Sequence, residues 1–424
     1  MPSVWLQQRR SAMGIAASSA ALAVATCLAL AQQPAAENAG TGKALKETVL
    51  YSFTGGFDGS YPQSSLIFDS SGALYGTTVR GGTLNNGTAF KLTPPAGGGG
   101  QWTETLLHSF SGQPDGIYPY AGLVSESSGA LYGTTVFGGT LDSYGTVYQL
   151  TPPSSGGTLW AETVLYRFTG GADGANPTYT GKLVFDRSGA LYGTTQNGGN
   201  YGYGTVYKLT PPPPGGTMWS LTTLYSFMGG ADGRNPISGV IFDRDGALFG
   251  AAHPGTSGYS TVYKLTPLPT GGTPWTATVV YADGALPEGD LVFDGEGALY
   301  GTTQGYGYKL VPPASAGTQW TKLVLYTFTG GADGGEPVGA LILDHSGALY
   351  GTTRGGGLGY GTVYKVTPIS GGTLWKETVL HSFGSSQFDG VVPWAGLVSD
   401  RSGTLYGTTA GGGNPGYGTV FAVK

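Results

Sequence analysis

The sequence predicts an all-β protein, a seven-bladed β-propeller with four antiparallel strands per blade. Three observations carry that expectation. The tract Ala-Leu-Tyr-Gly-Thr-Thr or a close variant recurs seven times, with its aromatic at Tyr75, Tyr132, Tyr192, Phe249, Tyr300, Tyr350 and Tyr406. Successive copies lie 50 to 60 residues apart, room for about four short strands and their turns. Finally, the two ends of the repeat array are complementary: it opens on the last strand of a unit and closes on the third.

Each unit carries four apolar stretches in one order, called here strands a to d. In the second unit, strand a is Ala121-Gly-Leu-Val-Ser-Glu126, followed by the turn Ser127-Ser128-Gly129 and strand b, Ala130 to Thr135. A glycine-rich loop leads to strand c, Gly145 to Leu150, and a Pro-Pro-Gly-Gly type linker leads to strand d, Trp160 to Phe168. The stretches are short, rich in Val, Leu, Tyr, Phe and Thr, bounded by Gly, Pro, Asp and Ser, and lack the 3.6-residue period of a helix. The first recognisable strand, Glu47 to Phe53, is a d strand, and the last, Gly418 to Lys424, is a c strand. An open ring would expose strand edges, so strand 47–53 is expected to complete the blade formed by 393–424. Crowding at the axis assigns strand a, with Ser64, Ser65, Gly122, Gly181, Gly239, Gly289, Gly339 and Gly396, to the channel. Strand d, with Trp102, Trp160, Trp219, Trp275, Trp320 and Trp375, then forms the rim.

The repeats make residues 45–424 one closed domain. Residues 1–31 read as a secretory signal peptide: Arg9 and Arg10 precede an apolar stretch from Gly14, and Ala29-Leu30-Ala31 fits small-x-small cleavage. Residues 32–44 are a spacer. The only cysteine, Cys27, falls inside that leader, so no disulfide supports the mature fold. Charged residues are 11% of the chain and the net charge is −5, which provides no basic footprint for nucleic acid or an anionic membrane. The expectation is an exported monomer, extracellular or periplasmic, with no membrane span in the mature chain.

The whole unit, in particular Phe168-Thr-Gly-Gly-Ala-Asp-Gly-Ala-Asn-Pro177, Ala190 to Thr195 and Tyr203 to Thr210, resembles the bacterial secreted tandem-repeat family called GloVer. The resemblance covers about residues 45–424 and implies export and a repeat fold. The family has no assigned reaction, so it lends this chain no catalytic residue. Members carry variable C-terminal anchors, whereas this sequence stops at Lys424 inside a strand with no sorting segment after it.

Several recurrent motifs read as architecture. Asp-Gly pairs between d and a, from Asp58-Gly59 to Asp389-Gly390 and including Asp283-Gly284, offer one carboxylate per loop. Calcium needs several converging oxygens, so these read as turns in which Asp bonds its own backbone, Gly takes positive φ and the following Pro stops strand pairing. The carboxylates ending strand a, from Asp69 to Asp400, precede an a–b hairpin glycine by three residues. The Thr-Thr and glycine-rich b–c loops lack the helix and the Lys of a phosphate cradle. No metal cluster, cofactor motif or Ser-His-Asp set stands out among four histidines. His108 and His381 replace a strand-d Tyr, and His253 sits where Phe249-Gly-Ala-Ala-His-Pro breaks the repeat.

Function is expected on the face that gathers the d–a and b–c loops, since loops on a rigid scaffold carry binding. Residues flanking the strand-a prolines should ring the channel mouth unequally: Tyr61, Tyr118, Tyr120, Tyr179 and Trp394 on one side, Glu288, Asp290 and Glu336 on the other. The loops into and within blade 5 are short, Tyr281 to Gly284 and Thr303 to Tyr308, so a low notch is expected beside His253, Glu288 and Glu336. Rings beside carboxylates suit a sugar chain, so the partner read from these residues is a polysaccharide or a surface protein. The alternative for each aromatic is packing between blades. A hydrolase or lyase using Glu288 and Glu336 as an acid/base pair, and a structural surface module, are the competing classes.

Overall fold

The computed structural model describes residues 45–424 apart from 98–99, 155–156, 158–159, 270, 315–316, 318 and 370–373. The leader and spacer over 1–44 lie outside the described residues. Seven antiparallel sheets follow one another in chain order, each running a, b, c, d. In blade 2 these are Val124–Ser125, Leu131–Thr135, Thr146–Thr151 and Ala161–Arg167. Blade 7 combines Val398–Ser399, Leu405–Thr409 and Thr419–Val423 with the N-terminal Glu47–Ser52, paired from Glu47↔Val423 to Ser52↔Thr419. The clasp therefore closes the ring and removes the open edge it would otherwise have.

Strand a is more broken than the pattern suggests. In blade 3 it pairs with b twice, as Ala175–Pro177 and as Val184–Phe185, with extra residues bulging between. That bulge carries the small residues to the axis. A Cβ on Gly289 would lie 2.1 Å from the Gly339 carbonyl oxygen, and one on Gly339 would lie 2.3 Å from the Gly396 nitrogen. Only glycine tolerates such backbone approach. The prolines do not end strand pairing as expected: Pro177 pairs with Thr195 and Pro337 with Thr353.

The core divides into seven clusters, one at each seam between adjacent blades. Each regular seam is built from the same parts. The Phe ending strand d of one blade stands edge-on to the strand-c aromatic of the next, as in Phe168 on Tyr207 at 5.2 Å and Phe53 on Phe90 at 5.1 Å. The Trp opening the next d strand packs back on the first blade's strand-b ring, as in Trp219 on Tyr132. The Thr-Thr tracts are cross-links. Thr194 Oγ1 donates to Ser238 O of the following blade at 2.8 Å, and Thr195 Oγ1 and Thr205 Oγ1 are hydrogen-bonded to each other within the blade at 2.9 Å.

A backbone latch completes the mouth side. The residue before the strand-a proline adopts positive φ in six blades: Tyr61, Tyr118, Asn176, Asn235, Glu336 and Val392, at 45° to 59°. For Val392, a β-branched residue, this conformation is costly. Five of these residues donate their N–H to the b–c loop of the preceding blade, as Tyr61 to Tyr417 O and Val392 to Tyr360 O, both at 2.9 Å. In those same five seams the proline ring lies against a b–c glycine: a Cβ on Gly145 would meet Pro177 Cδ at 2.8 Å. Among the described residues the latch is missing on both sides of blade 5, where the b–c turn shrinks to Gln304 and Gly305.

Candidate functional site

The mouth residues fall into two groups. On blades 1 to 3, Tyr120 packs edge-on to Tyr179 with ring centroids 4.8 Å apart and to Tyr118 at 6.3 Å. Tyr118 also meets Phe137 at 6.1 Å and carries the Arg80 guanidinium over its face at 4.8 Å. Burial, with Tyr179 next, raises the Tyr120 phenol, and the wall is made of phenol rings with the Arg80 guanidinium on one face. Tyr61 and Tyr179 remain 41% and 37% exposed, accessible to a partner.

On blades 5 to 7, Arg354 organises the second group. Its Nε donates to Glu336 Oε2 at 2.7 Å while its guanidinium covers the Trp394 ring at 4.4 Å. Glu288 accepts from Gln304 Nε2 at 3.2 Å. Burial raises the Glu288 carboxyl, Gln304 and Arg354 oppose that, and Glu336 adds to it. The two glutamates therefore feel each other across one face, and the low turn at Gln304–Gly305 leaves Glu288 beside an exposed edge. A carboxyl with a raised pKa beside one paired to Arg offers both a donor and an acceptor to the same ligand when it is protonated.

Two other residues are placed differently. Asp290 does not ring the mouth: its Oδ1 accepts the Gly239 N–H at 2.8 Å, and burial raises its pKa against the opposing charge of Lys182. It ties blade 5 to blade 4 at the channel wall, because the bulged strand turns it inward. His253 ends strand b of blade 4, opposite Arg234, and burial together with Arg234 lowers its pKa, so the ring is neutral. Arg354 went unnoticed as a site residue, although it occupies the same place after the Thr-Thr tract as His253, Gln304 and Val136. Comparing the seven copies position by position is the signal that would have found it.

The Asp-Gly loops other than Asp283-Gly284 are turns, as expected: Asp58 accepts from Thr54 N at 2.8 Å, Thr54 Oγ1 at 2.6 Å and Tyr51 OH at 3.0 Å, whereas Asp283 ends strand d of blade 4, paired with Ser260 where the other blades place a Phe. The strand-a carboxylates cap hairpins, with Asp186 accepting from Ser188 N, Ala190 N and Tyr192 OH. At the closing seam, His381 replaces the Tyr and bonds Asp389, and with Glu47 these residues bring one potential metal-ligand atom each within 4.8 Å. The same arrangement is built without an imidazole from Tyr51, Asp58 and Glu104, which marks it as a seam contact.

The fold and mouth define a β-propeller that presents an uneven, partly aromatic and partly ionic face around the channel mouth. The chain belongs to the Gloeobacter/Verrucomicrobia repeat family, which it matches over residues 37–183, 97–310 and 304–424. Membership agrees with an exported repeat protein. No curated protein sequence matches it. Among solved structures it is similar to the extracellular domain of BT4673 from B. thetaiotaomicron, described as a one component system. That likeness has a TM-score of 0.55 and 13% identity, over 90% of this chain and 41% of that one. It is also similar to the extracellular domain of the hybrid two component system BT3049 of the same organism, at TM-score 0.52 and 10% identity, over 89% of this chain and 41% of that one. The chain thus spans less than half of these proteins, and at such identities the likeness establishes the propeller fold alone. Among the described residues no helix is long and apolar enough to cross a membrane.

Proposed function

We propose that the protein is an exported binding module that holds a glycan across the channel mouth. The N-terminal leader read from the sequence supports export. The observation that carries the binding role is the pairing, on one face, of the Tyr118–Tyr120–Tyr179 wall with the Arg354-centred group of Glu336 and Trp394. Rings supply stacking surfaces for the apolar faces of sugars, and the guanidinium and carboxyls supply hydroxyl partners in fixed orientation. The glutamates then orient the ligand.

The test is a glycan array followed by calorimetry on the best hit, using wild type, Trp394→Ala and Tyr120→Ala. Each substitution is expected to weaken binding about tenfold, roughly 1.4 kcal/mol. Retained affinity in both variants would remove the mouth from consideration. Glu288→Gln with Glu336→Gln separates this reading from hydrolysis: lost turnover with retained binding would make the protein an enzyme.

A further inference from the structure

One small contact recurs around the mouth face and then fails in two neighbouring blades, in opposite ways. In blades 2, 3, 6 and 7 a tyrosine at the end of the b–c loop lies over the first glycine after the same blade's strand d. A Cβ on Gly170, Gly229, Gly384 or Gly55 would overlap the ring of Tyr144, Tyr203, Tyr360 or Tyr417 respectively, so only glycine leaves the ring its seat. Blade 1 sets Asn86 beside Gly112 instead. Blade 4 keeps the tyrosine and loses the glycine seat. Tyr259 ends its b–c loop, but strand d runs on to Asp283, and only Gly284, Ala285 and Leu286 connect it to the strand that begins at Pro287. Gly284 has nothing within 4 Å of its Cβ position, and Tyr259 stands 54% exposed.

Blade 5 does the reverse. Its b–c turn is Gln304 and Gly305, with no tyrosine, whereas the loop after its strand d is intact. Gly330 holds φ at +80°, as Gly55 and Gly170 do at +81° and +79°. Its N–H reaches Gly334 O at 2.9 Å, and Asp333 accepts from Thr329 N at 2.8 Å as Asp58 does from Thr54 N. A Cβ on Gly330 would meet nothing within 4 Å, and the residue is exposed. It is a seat of the same backbone shape with no ring of its own blade to fill it. The rest of the face is apolar. Phe57, Leu84, Leu141, Met228, Leu358 and Phe388 are each more than half exposed, and all lie on d–a or b–c loops. The exposed parts of the large apolar side chains on this face amount to about seven whole residues, on the order of 1,000 Å². A standard interface takes roughly 800 Å² from each partner.

We propose that the protein forms a face-to-face dimer in which Tyr259 of each copy lies on Gly330 of the other. A two-fold axis lying in the interface and running outward through the seam of blades 4 and 5 sets blade 4 of each copy over blade 5 of its partner, as an isologous contact requires. The full-length loop of blade 4, Pro254 to Tyr259, then enters the low turn of blade 5. A foreign partner would have to supply both a ring and a seat at this spacing, and a second copy carries both. The inference does not rest on the glycan reading of the mouth. Apposition covers the mouth, so the dimer and a glycan held there compete for one face.

The experiment is sedimentation velocity with light scattering on the full chain without its leader, at about 1 to 100 μM. A monomer–dimer equilibrium is expected. Tyr259→Ala and Gly330→Asn each remove both contacts and should weaken the dimer at least about tenfold. Asn tolerates the left-handed backbone, and the space above Gly330 admits its side chain. An equimolar mixture of the two variants should recover part of the loss, because the mixed dimer regains one contact. Tyr259→Cys mixed with Gly330→Cys should cross-link with a short bifunctional thiol reagent, and neither variant alone should do so, since the chain's own Cys27 lies in the leader. Tyr259 is exposed, so its variants keep the test open if those at Gly330 do not fold. A monomer throughout, which is the state expected from the sequence, a dimer unchanged by Tyr259→Ala, or a cross-link within Tyr259→Cys alone would overturn the proposal.

Discussion

The seam between blades 6 and 7, where the clasp completes the last blade, and the seam between blades 4 and 5 both depart from the standard parts, the first at one position and the second at several. The closing seam keeps its Phe, with Phe383 edge-on to Phe421 at 5.0 Å, and its latch from Val392 to Tyr360. It lacks only the Trp, because Leu45 occupies that position on the clasp strand. The blade 4–5 seam keeps its Trp, with Trp320 on Phe249 at 5.6 Å, but exchanges Phe, latch and threonine bonds for a small hollow lined by Asp283, Tyr306 and Lys322 among others. A seam against the blade whose outer strand comes from the distant N-terminus retains nearly all its packing. A seam between two blades each built from one continuous stretch of chain has given up its Phe, latch and threonine bonds, and that is where a protein can sacrifice burial without losing closure.

The largest expected effect removes the clasp strand itself. The clasp places Phe53 in a fully buried cluster with Leu66, Leu74 and Phe90 and brings Leu50 and Tyr51 with it. Deleting residues 45–53 removes several such side chains at ~1.5–3 kcal/mol each, against a typical total of about 5–15 kcal/mol. The truncated protein should lose its cooperative thermal transition and aggregate. A wild-type melting temperature after deletion would refute closure by this strand.

The next effect contrasts the seams directly. Phe168→Ala, in the seam of blades 2 and 3, should cost about 3–5 kcal/mol by cavity formation, read from urea denaturation. Asp283→Phe with Lys322→Leu should instead stabilise, since it adds apolar burial worth ~1.5–3 kcal/mol where a hollow now stands. Equal losses from the two changes would mean that Asp283 belongs to a packed core.

Most of the architecture was legible because the repeat states it seven times. The tract around Tyr132, the a–b glycines, and the d-first, c-last ends suffice for blade count, strand order and closure. The expected notch also corresponds to a real shortening, at Gln304–Gly305. The hollow was not legible in the same way, because Asp283-Gly284 passes for another copy of the Asp-Gly turn. Only three-dimensional register shows that Asp283 holds the place of a Phe while a loop has been deleted after it. The inward turn of Asp290 was hidden for a related reason: alternation along a strand predicts its face only where no bulge intervenes, and strand a bulges between Glu288 and Val292. Arg354 was missed since its meaning depends on Glu336 and Trp394, 18 and 40 residues away.

Restoring the missing Trp gives a smaller, stabilising change. Leu45 is 38% exposed on the clasp, in line with Trp102 and Trp160 of the neighbouring d strands, which pack on Tyr406 and Tyr75. Leu45→Trp should cover the Tyr350 ring and raise stability by about 1 kcal/mol, the scale of an aromatic pair. An unchanged or lowered denaturation midpoint would show that the closing seam cannot accommodate the ring.

The smallest change per seam is electrostatic. At the position held by Lys322 in the open seam, four other d strands carry Glu47, Glu104, Glu162 and Glu377. Each has a buried Oε1 without a partner, and each faces an Asp across the seam. Burial first, and the neighbouring Asp next for all but Glu162, where His108 intervenes, pushes Glu47, Glu104 and Glu162 up to about 7 and Glu377 to about 8. A carboxyl whose folded pKa is raised binds more protons folded than unfolded, so its contribution is complete below the unfolded value and is lost as pH rises through 7 to 8. The melting temperature should therefore decline gradually from about pH 5 to about pH 8. Asp283 has the opposite sign: lowered by Lys322, it contributes above the usual carboxylate range and loses its contribution only in strong acid. Replacing the four glutamates with Gln should flatten the profile between pH 5 and 8, whereas Lys322→Gln should leave that slope in place. A slope that survives the four substitutions would assign the pH dependence to groups outside the seams.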